Sequence, residues 1–469
     1  MESVDSAAHR QLAREAAAQS AVLLANKGDV LPINVSDGRV KKIAVLGPSA
    51  NDTAGYDRCW EAGGGGCLYS HIYRGYSSYV TTPLAGLQAA LAGSGVEVSY
   101  HSGCEPPGVA KANGVLRSET NASVCASGIA AAAALAEQAD VAIVVVGLEE
   151  HFEEEGTDRM DPATEGGGNG LFQLPGLQQQ LVDAVTATKA PTVEVLINGG
   201  PLSLTPPANA AKFAILEAFY GSQACGDGIA DVVLGKVSPS GKMPVTCYAN
   251  AAQAGEITSM DMSKGRTYRY LQAQPTYEFG YGLSYTTWQF SSLGASPTTV
   301  HETESVEISV GVANTGTVDS AQVVQLYASL SPDFAAIPAG VSAHVPPRQL
   351  VGFEKVFVRA NSHSTVNLTF TPQALAGWEL WHNSSATLHL AVGDVSPSKR
   401  TLASGSLQTT AIEVQRAGAP IKSDDADGRM NVLLILVDDL RPQLGAYGHG
   451  GLMHTPNIDR EPATPLALL

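Results

Sequence analysis

An α/β domain with a mostly parallel sheet and helices on both faces, followed by an all-β sandwich, is the fold class this sequence predicts. Three observations carry it. Up to about residue 235, short β-branched runs alternate with Ala- and Leu-rich segments of helical spacing, the pattern of strands joined by crossover helices. The run from Asp140 to Leu148 is apolar almost without interruption, as expected of a strand covered on both faces. From about Ser305 the period changes to two, with Val306, Ile308, Val310 and Val312 alternating before the turn signal Asn314-Thr315-Gly316.

Taken in order, residues 6–26 place Leu12, Ala16, Leu23 and Leu24 at helical spacing with Gly28 as a stop, which predicts an amphipathic helix. Val40 to Leu46 reads as a strand ending in Gly47-Pro48-Ser49-Ala50-Asn51. That turn has the spacing of neither a dinucleotide fingerprint nor a Walker loop, so nucleotide binding is not expected. Pro83 opens a helix in its favoured first turn, Val96 to His101 is a strand, and the Ala-rich stretch Ser127 to Gln138 is a helix leading into the central strand. Beyond it, Leu174 to Val185 reads as helix, Thr192 to Ile197 and Ala214 to Phe219 as strands, and Asp227 to Leu234 as helix. The sandwich adds strands over residues 323–329, 348–356, 365–370 and 387–392. Trp378 and Trp381 are expected to be buried sandwich aromatics rather than a sugar platform.

Composition narrows the function classes. Of 469 residues, 44% are hydrophobic and 16% charged, with 28 Lys and Arg against 45 Asp and Glu and a formal net charge of -17. Such a surface argues against nucleic-acid and anionic-membrane partners, and a neutral substrate fits better. No run reaches the roughly 20 apolar residues of a membrane span. The first 30 residues lack a signal-peptide core, because Glu2, Asp5, Arg10, Arg14 and Glu15 interrupt them. Five Asn-x-Ser/Thr sequons (Asn34, Asn51, Asn121, Asn367, Asn383) and six cysteines, none after Cys247, nevertheless lean towards an oxidising compartment. The cysteine spacings match no zinc pattern. Cys59 with Cys67, and Cys104 with Cys125, can close local loops, although sequence alone leaves the pairing open.

The stretch that carries chemistry is Glu149 to Arg159, which leaves the carboxyl end of the central strand, where open α/β sheets place their sites. It holds Glu149, Glu150, Glu153, Glu154 and Glu155 within seven positions. Mutual repulsion favours keeping one of them protonated as a general acid. An acidic run is more often a solvated loop, so the wider pattern must decide.

That pattern is an ordered set of motifs: Glu155-Gly156-Thr157-Asp158-Arg159, Leu174-Pro175-Gly176, Asn198-Gly199-Gly200-Pro201, Tyr220-Gly221-Ser222-Gln223, residues 230–235, Gly241-Lys242-Met243-Pro244, Gly265-Arg266-Thr267-Tyr268-Arg269-Tyr270 and residues 279–285. In this order they resemble glycoside hydrolase family 3 over residues 1 to about 290. Gly265 to Tyr270 looks most like the β-xylosidase and arabinofuranosidase branch. The resemblance implies a split active site, in which a (β/α)8 barrel supplies an aspartate nucleophile and a second, α/β domain supplies the acid/base; this chain resembles the second half. The family's acid/base lies three positions before the Asp-Arg pair, which here is Glu155. Glu153 matches a second glutamate frequent in the xylosidase branch, with an expected supporting or substrate-contacting role. Asp158 and Arg159 are expected to form an ion pair that holds the loop. The nucleophile motif is not present, since Ser36-Asp37 is followed by Gly38 and Ser423-Asp424 by Asp425; activity of the chain alone is not expected. Residues 59–79 and 161–170 depart from the family pattern near the expected substrate site.

The expected organisation is a helix over 1–28 leading from a barrel, the α/β sandwich over 29–290, a module resembling fibronectin type III over 291–403, a polar linker over 404–428, and a segment over 429–469. The last contains residues 431–442, 444–448 and 454–460, which resemble the opening of a sulfatase and imply Asp438 and Asp439 as calcium ligands. No cysteine follows Cys247 to provide the formylglycine such an enzyme needs, so this segment is not expected to act. The expected function is the acid/base portion of a secreted, retaining, exo-acting β-xylosidase-type hydrolase of oligosaccharide or polysaccharide, needing no cofactor. The alternatives are a β-glucosidase-type member, a non-catalytic carbohydrate-binding or structural protein and, third, a polysaccharide sulfatase.

Overall fold

Strand β6 (Val141–Gly147) is buried at every position, and its side chains divide between two cores. Val141, Ile143 and Val145 enter one cluster, and Ala142, Val144 and Val146 the other. In the computed structural model, which describes residues 5–51, 79–104, 108–112, 115–119, 122–148, 153, 172–256, 258–337, 341–375, 385–403 and 406–415, β6 lies inside a six-stranded sheet of order β1-β8-β7-β6-β2-β3. Its other members are β1 (Val22–Lys27), β2 (Lys42–Leu46), β3 (Glu97–His101), β7 (Thr192–Ile197) and β8 (Phe213–Glu217), while β4 (Gly108–Ala112) and β5 (Val115–Glu119) pair separately as a hairpin. Only β1 runs antiparallel, at one edge against β8. Helices cover both faces. Of these, α2 (Pro83–Ala90) and α5 (Cys225–Val233) pack on one side, α3 (Ala122–Glu137) and α4 (Gln178–Thr186) on the other. Complete burial of a Val or Ile contributes about 1.5–3 kcal/mol, so a strand buried on both faces holds a large share of the domain's stability.

The amino-terminal helix is shorter than its spacing predicts. Helix α1 (Ala7–Ser20) starts at Ser6, whose hydroxyl accepts from the His9 amide at 3.2 Å, and it stops before Ala21. The following residues form β1, not helix. Leu23 enters one core and Val22 and Leu24 the other, and this alternation across the sheet outweighs the helical spacing the same leucines display.

The sandwich stacks a five-stranded sheet, β10 (Thr299–His301), β16 (Gln408–Gln415), β15 (Ser385–Gly393), β12 (Ser320–Ser329) and β13 (Gln349–Val358), on a three-stranded one, β14 (Ser362–Phe370), β11 (Val306–Asn314) and β9 (Trp288–Ser296). The alternating valines and isoleucine of β11 all face the shared core. Strand β16 corrects the expectation of a linker from residue 404: Ile412 and Val414 are buried in that core, and β16 pairs with both β15 and β10. Trp378 and Trp381 lie outside the described residues.

Strand β12 is covered on its second face as well, by the α/β domain. Gln325 Nε2 donates to Gly280 O at 3.1 Å and Asp394 O at 2.9 Å, and Tyr327 meets Tyr268 edge-on with ring centroids 6.0 Å apart. Tyr268 also stacks on Phe279 at 4.3 Å, and its hydroxyl accepts from the Leu350 amide. Gly265 to Tyr270, the motif most suggestive of one branch, thus builds the seam between the two folds.

Candidate active site

The order of the sheet locates its crevice. From β2 the chain steps to β3 on one side and later to β6 on the other, so the carboxyl ends of β2 and β6 flank a switch of direction, the place where such sheets open a binding cleft. Both strands end in a glycine at positive φ, Gly47 at 105° and Gly147 at 154°. A Cβ on Gly147 would stand 1.9 Å from the Ile197 carbonyl oxygen, so only glycine lets the chain turn off the sheet there. Gln178 secures this exit, its buried amide donating to Gly147 O and accepting from Gly147 N, each at 2.9 Å. Beside the crevice, a Cys104–Cys125 disulfide joins the end of β3 to α3. Cys59 and Cys67 lie outside the described residues, and Cys225 and Cys247 are buried free thiols.

Glu153 is the acidic-loop residue the structure describes, and it is fastened to the ends of β7 and β8. The Gly199 amide donates to its Oε2 at 2.9 Å, the Gly200 amide to its Oε1, and the Tyr220 hydroxyl to its Oε2. Three donors on one carboxylate form charge-assisted hydrogen bonds, worth about 1.5–3 kcal/mol each. A side chain so engaged is suited to anchoring a loop rather than delivering a proton. Tyr220 is itself aimed by a turn in which Phe219 and Ser222 take positive φ of 52° and 55°, a conformation that costs non-glycine residues about 1–3 kcal/mol each and concentrates at working sites.

Beneath this anchor sit two buried acids. Glu217, 1% exposed, accepts from Asn198 Nδ2 at 3.1 Å and from the Phe219 amide at 3.0 Å. Burial pushes its pKa up to about 8 against those two bonds. Glu194, 2% exposed in mid-strand, is raised to about 8 by burial, and its Oε1 has no partner. Each is held protonated near neutral pH because the sheet interior cannot solvate the charge.

Of the residues singled out by sequence, Glu153 is therefore placed at the carboxyl ends of β7 and β8. Glu155, Asp158 and Arg159 lie outside the described residues, as do Asp438 and Asp439 with the whole sulfatase-like segment. Asn198-Gly199-Gly200 and Tyr220 belong to the ordered motifs of the sequence, but nothing in those motifs assigns them to the site. Their position at the ends of two successive parallel strands was the signal available. Among the described residues no group of three or more His, Cys, Asp or Glu is arranged to hold a metal ion, and no helix is long and apolar enough to cross a membrane.

The family model described as glycosyl hydrolase family 3 C-terminal domain matches residues 21–285, and that of the fibronectin type III-like domain matches residues 322–394. A β-xylosidase of Formosa agariphila is 30% identical over 365 residues, covering 76% of this chain and 44% of that protein. A periplasmic β-glucosidase of Salmonella typhimurium is 32% identical over 394 residues, covering 80% and 46%. Among solved structures, a β-glucosidase from Erythrobacter marinus superposes with a TM-score of 0.68 at 28% identity, covering 88% of this chain and 51% of that one. The chain spans less than half the length of these curated relatives.

Proposed function

The chain belongs to glycosyl hydrolase family 3, and on that premise we propose that it is the acid/base-bearing portion of a secreted, retaining exo-glycosidase of β-xylosidase type. Glu155 is the general acid/base on this reading, and an aspartate of a (β/α)8 barrel domain is the nucleophile. The observation that carries it is the anchoring of Glu153, two residues earlier, by Gly199, Gly200 and Tyr220. Glu153 is thereby fixed at the carboxyl ends of β7 and β8, two positions before Glu155 in the sequence. On the same reading Asp158 and Arg159 form the ion pair that holds the loop.

In the first step Glu155 gives its proton to the glycosidic oxygen as the nucleophile attacks the anomeric carbon and the leaving sugar departs. In the second, Glu155 takes a proton from water as that water releases the glycosyl group. The Cys104–Cys125 disulfide supports an oxidising compartment. A β-glucosidase-type specificity is the second reading, favoured by the solved relatives at 28% and 27% identity, both named β-glucosidases.

The test uses the chain joined to a family barrel. Glu155→Gln is expected to abolish hydrolysis of xylobiose, whose leaving group needs a proton, while sparing much of the glycosylation step with a strongly activated aryl xyloside. Unchanged turnover of xylobiose would sink the assignment. Relative kcat/KM for aryl β-xyloside and aryl β-glucoside decides between the two specificities.

A further inference from the structure

Strand β8 is buried at every position, and Glu217 is its one polar side chain. A leucine there would pack without penalty, whereas a buried carboxyl costs free energy unless its oxygens are bonded. Both are. Oε1 accepts from the Phe219 amide at 3.0 Å, and Oε2 from Asn198 Nδ2 at 3.1 Å. The same Asn198 Nδ2 donates to Gly200 O at 2.9 Å, so this side chain shapes its own turn and ties that turn to Glu217.

The two groups bonded to Glu217 belong to different turns. Residues 198–200 leave β7 and residues 219–222 leave β8, and between them these turns supply the described donors to Glu153, the Gly199 and Gly200 amides and the Tyr220 hydroxyl. Among the described residues the backbone ladder of β7 and β8 ends with Ala218 N donating to Leu196 O at 2.9 Å. Past that rung the Glu217 side chain bridges the turns. They also touch, since a Cβ on Gly199 would stand 3.0 Å from Tyr220 Cε2. Phe219 keeps a positive φ of 52° directly before Tyr220, a conformation that persists where neighbouring groups enforce it. The bond from its amide to Glu217 is such a constraint.

We propose that Glu217 is a positioning residue, which fixes the turns after β7 and β8 against each other and through them sets the place of Glu153. Its effect on turnover rests on the reading of Glu155 as acid/base; the bracing itself does not. Burial keeps Glu217 protonated near neutral pH, so Glu217→Gln changes no charge and keeps one carbonyl acceptor, while Glu217→Met keeps the bulk and removes both. Glu194→Met is the matched control, since Glu194 is a buried acid of the neighbouring strand that bonds to neither turn among the described residues.

Hydrogen exchange on the full chain reads the brace. In Glu217→Met the Gly199 and Gly200 amides should exchange about tenfold faster relative to those of β7, the worth of one hydrogen bond, and in Glu194→Met they should not. In the chain joined to a barrel, kcat for xylobiose should fall about tenfold to a hundredfold in Glu217→Met with KM little moved, recover in part in Glu217→Gln, and stay unchanged in Glu194→Met. Should Glu217→Met fail to fold, the isosteric Glu217→Gln carries the exchange test, with about threefold faster exchange expected for the one bond it weakens. Exchange at Gly199 and Gly200 unmoved by the variants that fold would overturn the proposal. So would faster exchange with kcat intact, where Glu155→Gln abolishes xylobiose turnover in the same protein. If Glu155→Gln is silent, it is the acid/base reading that fails, and the exchange result decides the brace.

Discussion

The carboxyl end of the sheet and the seam with the sandwich both bury acidic side chains, and they stabilise them by opposite means. At the seam, Glu278 is paired with Arg400, and Lys242 donates to Gly282 O at 2.7 Å with Asp394 4.0 Å away. There charge meets charge, beside stacked rings. At the carboxyl end, the described donors to Glu153 are two amides and a phenol, Glu217 rests on an amide side chain and an amide, and Glu194 keeps one oxygen without a partner. Acids there are held by hydrogen bonds or by keeping their protons. Ion pairs hold modules together at fixed geometry, whereas burial keeps Glu194 and Glu217 protonated near neutral pH, which is the condition general acid chemistry requires.

The largest effect expected from this contrast is in pH dependence. In the unfolded chain Glu194 loses its proton near 4.5, and in the folded chain only near 8. Between those values the folded state binds more protons, so its stability is greatest below about 4.5 and declines as pH rises towards 8. Glu194→Gln removes that decline for one site, on the order of 4 kcal/mol across the window, and leaves the slope due to Glu217. Urea denaturation of both proteins at pH 5 and pH 8.5 measures it. Parallel losses of stability would mean that Glu194 titrates normally and that the contrast is false. At the seam, Tyr268→Ala removes the stack on Phe279, the edge contact with Tyr327 and the bond to Leu350. A loss of about 3 kcal/mol is expected, seen as a lower midpoint of unfolding. In the chain joined to a barrel, aryl glycosidase activity per folded molecule should be unchanged.

The parts legible in the sequence are those where one pattern dominates. Strand β6 was readable because no polar residue interrupts it, and β11 because its alternation is strict. Leu23 and Leu24 fit a helix and a strand equally well, and β8 as a neighbour decides. Strand β16 was missed because Gln408, Thr409 and Thr410 look like linker, and only pairing with β15 and β10 makes Ile412 and Val414 a core face. The site was half legible for a similar reason. The acidic loop announces itself, but its holders are 46, 47 and 67 residues away, and only sheet order brings them to it. Glu194 and Glu217 are single acids inside otherwise apolar strands, a pattern with no local signal of a raised pKa.

The anchor itself is sharpened by Glu153→Gln, which keeps the shape of the side chain but replaces one accepting oxygen with an NH2, so the donors to that oxygen lose their acceptor. Displacement of the following residues by about 1 Å is the kind of change that lowers a rate by about 10²-fold. In the chain joined to a barrel, kcat should fall by that order while the unfolding midpoint moves little. A residue acting only in stability gives the reverse, a lower midpoint with kcat per folded molecule intact, and that result would move Glu153 into the same class as the seam residues.

Tyr220→Phe is the smallest and most discriminating change. It removes one of the three described donors to Glu153 and leaves both glycine amides and the ring in place. With both glycine amides still bonded the carboxylate stays near its position, so kcat should fall only about fivefold to tenfold, less than the about 1.5–3 kcal/mol of the bond itself would give. The two substitutions share one contact, so their effects should not add. In a double variant, Tyr220→Phe is expected to cost little beyond Glu153→Gln, because the bond it removes is already impaired. Additive losses in kcat would show that the Tyr220 hydroxyl acts on something other than Glu153, and the loop would then need a different fastening at the end of β8.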